Sequence, residues 1–323
     1  MIQMKKFIIN TIFFVLPITL SSYLIDYFIS ANLKKSNSHA QKEYPTWNII
    51  MEGKLNSEIL IYGSSRAWTH FDSQIIEEKL NKTTYNLGID GHTFNMQYLR
   101  HLLVLEYNKK PKLIIHSIDA GTFQKGNLYN PDQFLPYMLW NNEFFKSLKN
   151  YDGYNFTDFY IPLIRYYGKL DAIKTAIKML IMPKSNLTQR IKGYQGQDVE
   201  WNSDFDDAQK NMDKYEVKLD SITIAKFDKY LAECGVKNIE VILVYSPVYI
   251  EGQNFIKNHS KIIEFYQLFA DKYSLKFLNF SNDSICLDKK YFYNATHLNK
   301  KGAELFSHKL STLLLEFNMG KIK

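Results

Sequence analysis

The longest apolar stretch in the chain comes first. From Phe7 to Leu24 only small polar residues and Pro17 interrupt it, and Lys5 and Lys6 precede it. Eighteen residues at about 1.5 Å each give a helix of about 27 Å, close to the hydrocarbon thickness of a bilayer. The lysine pair favours a cytoplasmic N-terminus, although Lys34 and Lys35 beyond the run weaken the asymmetry. A cleaved signal peptide is the competing reading, but the run is long for one and Ser30-Ala31 is only a loose cleavage site. A buried core helix is the third, disfavoured by the terminal position and the flanking charge. Residues 1–30 are therefore expected to be an uncleaved transmembrane anchor, and either exported reading leaves the rest outside the cytoplasm.

Residues 31–56 are polar and lysine-rich and read as a linker or juxtamembrane stalk. The pattern then changes. Ser57 to Tyr62 is a short apolar run ending at Gly63, as a buried strand would. Asp72 is placed to cap a helix carrying Ile75, Ile76 and Leu80 on one face. Tyr85 to Gly88 predicts a second strand, Phe94 to Tyr107 a helix, and Lys112 to Ile118 a third strand after Pro111. From about 123 to 217 the alternation is lost among aromatics, glycines and prolines, with one clear helical stretch from Asp171 to Met182. It resumes with a helix ending near Cys234-Gly235, a strand from Ile239 to Tyr245, a helix around Ile256 to Tyr273 and a strand from Leu275 to Phe280. A last helix carries Ala303, Phe306, Leu310, Leu313, Leu314 and Phe317. Alternating strands and helices predict an α/β domain over 57–323, a parallel sheet covered on both faces, with residues 123–217 as an insertion rather than an independent domain.

Composition narrows the partners. Apolar residues at 46% support a packed core. The charge of +7 is scattered rather than gathered into a stripe, so no nucleic-acid face is expected, and mild attraction to anionic lipid or polysaccharide fits better. Cys234 and Cys286 lack CxxC partners, as two buried or free thiols would, and a disulfide is allowed only if the fold brings them together. No Cys-His spacing suggests zinc, and neither metal nor cofactor is expected. In the insertion Trp140, Tyr151, Tyr154, Phe156, Tyr160, Tyr166 and Tyr167 suit either a core or sugar stacking.

Two short segments carry candidate chemistry. Gly63-Ser64-Ser65-Arg66 follows the first strand, where a serine is exposed in the ligand crevice of an open α/β sheet. Asn294-Ala295-Thr296-His297-Leu298-Asn299 precedes the last helix. If that helix packs beside the first strand, His297 reaches Ser65 as a general base. His70, His92, His101, His116, His259 and His308 have weaker claims.

In order and spacing these segments resemble the SGNH/GDSL hydrolase superfamily, most closely its membrane-anchored extracytoplasmic branch of DltD-like and alginate O-acetylation proteins. The resemblance covers roughly residues 57–120 and 237–317 and implies an SGNH-like three-layer α/β/α sandwich with a parallel sheet, preceded by the transmembrane helix. It implies Ser65 as nucleophile, with Ser64 where GDSL members carry aspartate. Asn86-Leu87-Gly88-Ile89-Asp90-Gly91 looks like the second block, so the oxyanion would face the amides of Ser65 and Gly91, with Gly88 the close alternative. Ser64, Arg66 and Asp119 become substrate-binding candidates. There are two departures. The third block should supply an asparagine, but Ile114 to Gly121 offers His116, Ser117 and Asp119. The last block has Asn294 where the triad acid belongs, and Asp288 substitutes only if its loop folds back. The resemblance implies a serine O-acyl hydrolase or O-acyltransferase on a cell-envelope polysaccharide or similar glycan, often partnered by a multi-pass membrane acyltransferase. The alternative is a non-catalytic glycan- or partner-binding member, which Asn294 favours.

Overall fold

A computed structural model of the chain describes residues 2–182 and 190–317. In chain order its elements are α1 (Ile2–Leu33), α2 (Tyr44–Met51), β1 (Ile59–Tyr62), α3 (Ser65–His70), α4 (Ser73–Leu80), β2 (Thr84–Asn86), α5 (Phe94–Tyr107) and β3 (Leu113–Ile118). Then come α6 (Asn142–Leu148), α7 (Phe156–Tyr160), α8 (Leu170–Ile181), α9 (Asp204–Asn211), α10 (Ser221–Val236) and β4 (Glu240–Tyr245). The chain ends with α11 (Ile250–Asn254), α12 (His259–Tyr273), β5 (Lys276–Asn279), β6 (Phe292–Asn294), β7 (His297–Leu298) and α13 (Lys300–Glu316). Two compact units result, one from the described parts of 1–48 and 130–188, the other from those of 49–129 and 189–323.

The second unit is a three-layer α/β/α sandwich. Its sheet has the order β2-β1-β3-β4-β5 and every pairing is parallel. Successive side chains on a strand point to opposite faces. Ile59, Ile61, Leu113, Ile115, Ile242 and Val244 share a core with Phe71, Ile76, Phe306 and Leu310 from the α3–α4–α13 side. On the other face Tyr62 and His116 pack against Tyr230 of α10. With both faces covered, β1 and β3 are buried at every position, hence their near-continuous apolar sequence. Asp72 caps α4, accepting from the amides of Gln74 and Ile75. The expected helix from Ile256 begins only at His259, after the short α11. Cys234 and Cys286 are both free and buried.

The first unit corrects the linker expected at 31–56. Helix α1 continues to Leu33 and α2 starts at Tyr44. Tyr44 and Trp47 are fully buried. Trp47 donates its indole N–H to Gln133 Oε1 at 3.0 Å and packs its ring against Phe134 and Phe144. The apolar partners of this polar-looking segment lie some ninety residues later, beyond any local pattern. For the same reason the expected insertion divides. Its residues 130–182 fold with the N-terminal segment, and 190–217 belong to the sheet unit.

Helix α1 is long and apolar enough to cross a membrane. Its residues from Gln3 to Ser21 are all exposed, whereas Asp26, Ile29, Ser30, Asn32 and Leu33 are buried. Asp26 is held in a fork by Arg165, whose guanidinium donates at 2.8 Å and 2.6 Å to the two carboxylate oxygens. The amide of Leu163 also donates to Asp26, at 2.7 Å. Both side chains of the pair are 2% exposed. Breaking such a pair from one side leaves an uncompensated buried charge, at a cost of about 3–5 kcal/mol, whereas an apolar replacement of both is tolerated. Arg165→Met is therefore expected to lower the unfolding midpoint of the full chain in detergent and to open residues 130–182 to protease. Asp26→Leu/Arg165→Met should recover most of the loss. An Arg165→Met protein as stable as the parent would show that the pair is solvated.

Candidate active site

The strand order reverses at β1, with β2 on one side and β3 on the other, and ligands in open α/β sheets bind at the carboxyl ends of strands at such a point. Gly63 ends β1 with φ +145°. A Cβ here would stand 2.7 Å from the Ser117 carbonyl oxygen and 2.8 Å from the Ser117 Cβ at the end of β3, so only glycine fits. The turn delivers Ser64 and then Ser65, the first residue of α3. Across the crevice β6 and β7 form a small antiparallel ribbon in which Asn294 pairs with His297. Ser65 Oγ lies 2.8 Å from His297 Nε2, although 232 residues separate them.

The hydrogen bonds around the ring fix its tautomer. Asn294 Oδ1 accepts from the backbone amides of Thr296 at 3.0 Å and His297 at 2.9 Å. It is therefore the amide oxygen, not the nitrogen, that faces His297 Nδ1 at 3.1 Å. An oxygen of this kind only accepts, so Nδ1 carries the proton and Nε2 presents its lone pair to the Ser65 hydroxyl. Thr296 Oγ1 lies 3.0 Å from the same Nδ1, and the Tyr293 ring stacks on the imidazole with centroids 5.3 Å apart. Beneath, His70 Nε2 accepts from the Leu298 amide at 3.0 Å, which requires Nδ1–H of His70 to donate to Ser246 Oγ at 2.8 Å. Arg66 donates to the same Ser246 hydroxyl at 2.9 Å. His70, Ser246 and Arg66 thus tie β7 to the strand ends below it.

Burial pushes the His297 pKa down to about 4, Arg66 adds to the depression and Asp119 opposes it. His70 is also held well below the ordinary histidine range, by burial first and then by Arg66. Both imidazoles are neutral at pH 7.

Ser65 and His297 open onto a cavity of about 270 Å³. Ser64, Arg66, Gly91 and Asp119 also line it, together with Gln124 and Tyr215. Ser64 donates to Asp119 Oδ2 at 2.6 Å, and the Gly121 amide donates to Asp119 Oδ1 at 2.8 Å. Of His116, Ser117 and Asp119, Asp119 alone lines the cavity. His116 lies in the core on Gln97 and Tyr230 instead. Gly91 reaches the cavity, with φ +67° and no room for a Cβ beside the Tyr129 ring. Gly88, the other oxyanion candidate, is not among the lining residues and its amide donates to Asn86 Oδ1 at 2.9 Å. Asp288 does not approach as a substitute acid, because it caps and pairs with Lys290. Sequence reasoning missed Tyr293, Thr296, Ser246 and Gln124. Only Thr296 and Tyr293, which flank His297 in the chain, offered a signal through their position.

No family model matches the sequence, and no curated protein matches it. Among solved structures the chain is similar to a GDSL-like lipase from Bacteroides thetaiotaomicron, at 12% identity and a TM-score of 0.42, covering 85% of this chain and 97% of that one. It is also similar to an acetyl xylan esterase from Butyrivibrio proteoclasticus, at 11% identity and a TM-score of 0.34, covering 82% of this chain and 65% of that one.

The tautomer is directly measurable. In ¹⁵N-histidine-labelled protein at pH 7, the pair of ring signals lost in His297→Ala should show a protonated Nδ1 and an unprotonated Nε2. A protonated Nε2 would mean that Asn294 presents its amide nitrogen and that the ring cannot accept from Ser65.

Proposed function

We propose that the protein is a membrane-anchored serine O-acyl hydrolase or O-acyltransferase of the SGNH type, acting on an acylated cell-envelope glycan outside the cytoplasm. The observation that carries this reading is the 2.8 Å approach of Ser65 Oγ to a His297 Nε2 whose lone pair is turned toward it. Ser65 attacks the acyl carbonyl while Nε2 takes its proton. The oxyanion faces the amides of Ser65 and Gly91. Collapse expels the alcohol, which takes the proton from Nε2, and leaves an acyl-serine. Water or a sugar hydroxyl then accepts the acyl group by the reverse sequence. The 270 Å³ cavity, with Ser64, Asp119 and Gln124 on its walls, supports a short acyl group on a polar carrier over a long lipid chain.

The exported location and the glycan substrate draw on the resemblance to the extracytoplasmic branch and on the lysines before α1. A multi-pass acyltransferase that supplies the acyl group suits the same branch. The uncleaved anchor gains separate support from the first unit. Cleavage at Ser30-Ala31 would remove Asp26 and strand Arg165, buried and unpaired.

Asn294 specifically favours a second reading, in which the crevice binds an acylated glycan without turning it over. Hydrolysis of 4-nitrophenyl acetate by the full chain in detergent separates the two. Ser65→Ala and His297→Ala should each lower the rate by about 10³-fold or more. Equal rates in all three proteins would remove the assigned site, and no activity in any would favour the binding protein.

The pH dependence tests the base. Since only neutral His297 accepts a proton, the rate should rise with pH to half-maximum at about 4 and stay flat through neutrality. Asn294→Asp places a negative charge beside Nδ1, which should move this limb up by about 1–3 pH units and raise the plateau roughly 10-fold. A variant with an unchanged limb and plateau would show that position 294 is not coupled to the ring.

A further inference from the structure

We propose that α8 is a second membrane contact, an amphipathic helix lying in the headgroup–acyl boundary of the bilayer that α1 crosses. The proposal rests on α1 being in a membrane and goes beyond the reading of the active site.

Helix α8 carries two apolar faces where one would suffice for a soluble protein. It packs along α1. Ala172, Ala176 and Met179 are its buried residues and fall on one side of a 3.6-residue turn. Leu170, Ile177, Leu180 and Ile181 fall on the adjacent side and are 64%, 47%, 52% and 68% exposed. Asp171, Lys174 and Lys178 occupy the remaining arc and are exposed. A helix with a wide apolar arc and a lysine-bearing polar edge lies along a lipid–water boundary, its apolar side chains among the acyl chains and its lysines reaching the phosphates.

Two further features identify lipid as what covers this face. The face belongs to a helix that packs on α1, whose apolar side chains from Phe7 to Leu24 are themselves exposed, so the medium that covers α1 is at hand for its packed neighbour. Exposed aromatics also collect in the same unit where the apolar run ends. Tyr23 stacks on Trp140 with centroids 5.4 Å apart, Trp140 is 57% exposed, and Tyr27 and Tyr167 are 64% and 91% exposed. Amphipathic rings of this kind settle at the headgroup level.

The test uses full-length protein with Cys234→Ala and Cys286→Ala, in phosphatidylcholine–phosphatidylglycerol vesicles. A fluorophore is placed in turn at Ile177→Cys, at Phe14→Cys within α1, and at Leu268→Cys, an exposed position in the sheet unit. Lipids carry a quencher either near the headgroup or at the chain end. The Ile177→Cys label should be quenched about twofold or more, and most strongly by the shallow quencher, as burial of about 5–10 Å implies. The Phe14→Cys label should respond most to the deep quencher, and the Leu268→Cys label to neither. An unquenched label at 177 beside a quenched one at 14 would overturn the proposal and leave the anchor standing. No quenching at either position would remove the anchor as well. Self-quenching between labels at 177, without lipid quenching, would assign the face to a second copy and also overturn the proposal.

Discussion

The sheet unit is organised by one constraint, the reversal of strand order at β1. Crossovers from β1 and β2 run over opposite faces, α3 and α4 on one side and α5 on the other, and this leaves a gap beyond the ends of β1 and β3. Everything polar in the site is arranged around that gap. Gly63 lets β1 end in contact with Ser117 near the end of β3, which brings Ser64 within reach of Asp119. The next residue, Ser65, then projects toward the ribbon carrying His297. A side chain at position 63 would push the two strand ends apart and separate all three.

The proposed chemistry depends on what an asparagine at position 294 can supply where a serine triad uses an acid. In serine proteases the same exchange costs about 10⁴ in kcat, attributed to the wrong imidazole tautomer. Here two backbone amides hold the asparagine oxygen toward Nδ1, so orientation and tautomer survive. The negative charge does not. His297 is left with a buried guanidinium as its strongest charged neighbour, and Asp119 only partly offsets it. Ser65, His297 and Asn294 are lined up as a triad would be, while the group that faces Nδ1 is an uncharged amide. This is a division between positioning and electrostatics that a sequence motif alone does not express.

What the sequence revealed follows the range of the forces involved. Helix α5 was legible to the residue, and Asp72 announced α4, because periodicity and capping act within a few positions. The buried strands were legible because an α/β sheet covers both faces. Ser65 and His297 were legible as candidates because their segments adjoin strand and helix ends, though only the fold states their distance. Which of Gly88 and Gly91 lines the cavity was not legible, since it depends on the turn after β2, where the Asn86 side chain engages the Gly88 amide. Residues 31–56 misled because Tyr44 and Trp47 are scattered apolar residues in a polar stretch. Their partners, Gln133, Phe134, Tyr137 and Phe144, sit in the segment that had looked like an insertion into the sheet.

That segment also changes what kind of object α1 is. A tether would need only a hydrophobic run and a flexible stalk. Instead the last third of α1 contributes Ile29 and Leu33 to a core and supplies the carboxylate that Arg165 requires. Burying a guanidinium is tolerable only with its partner in place. Ser30 extends the same network, its hydroxyl 2.8 Å from that of Tyr166 and accepting from Arg165 at 3.1 Å. The buried core of residues 130–182 therefore includes the last third of α1. The helix is a structural element that also happens to be apolar enough to enter a bilayer, and it carries with it whatever packs along its length.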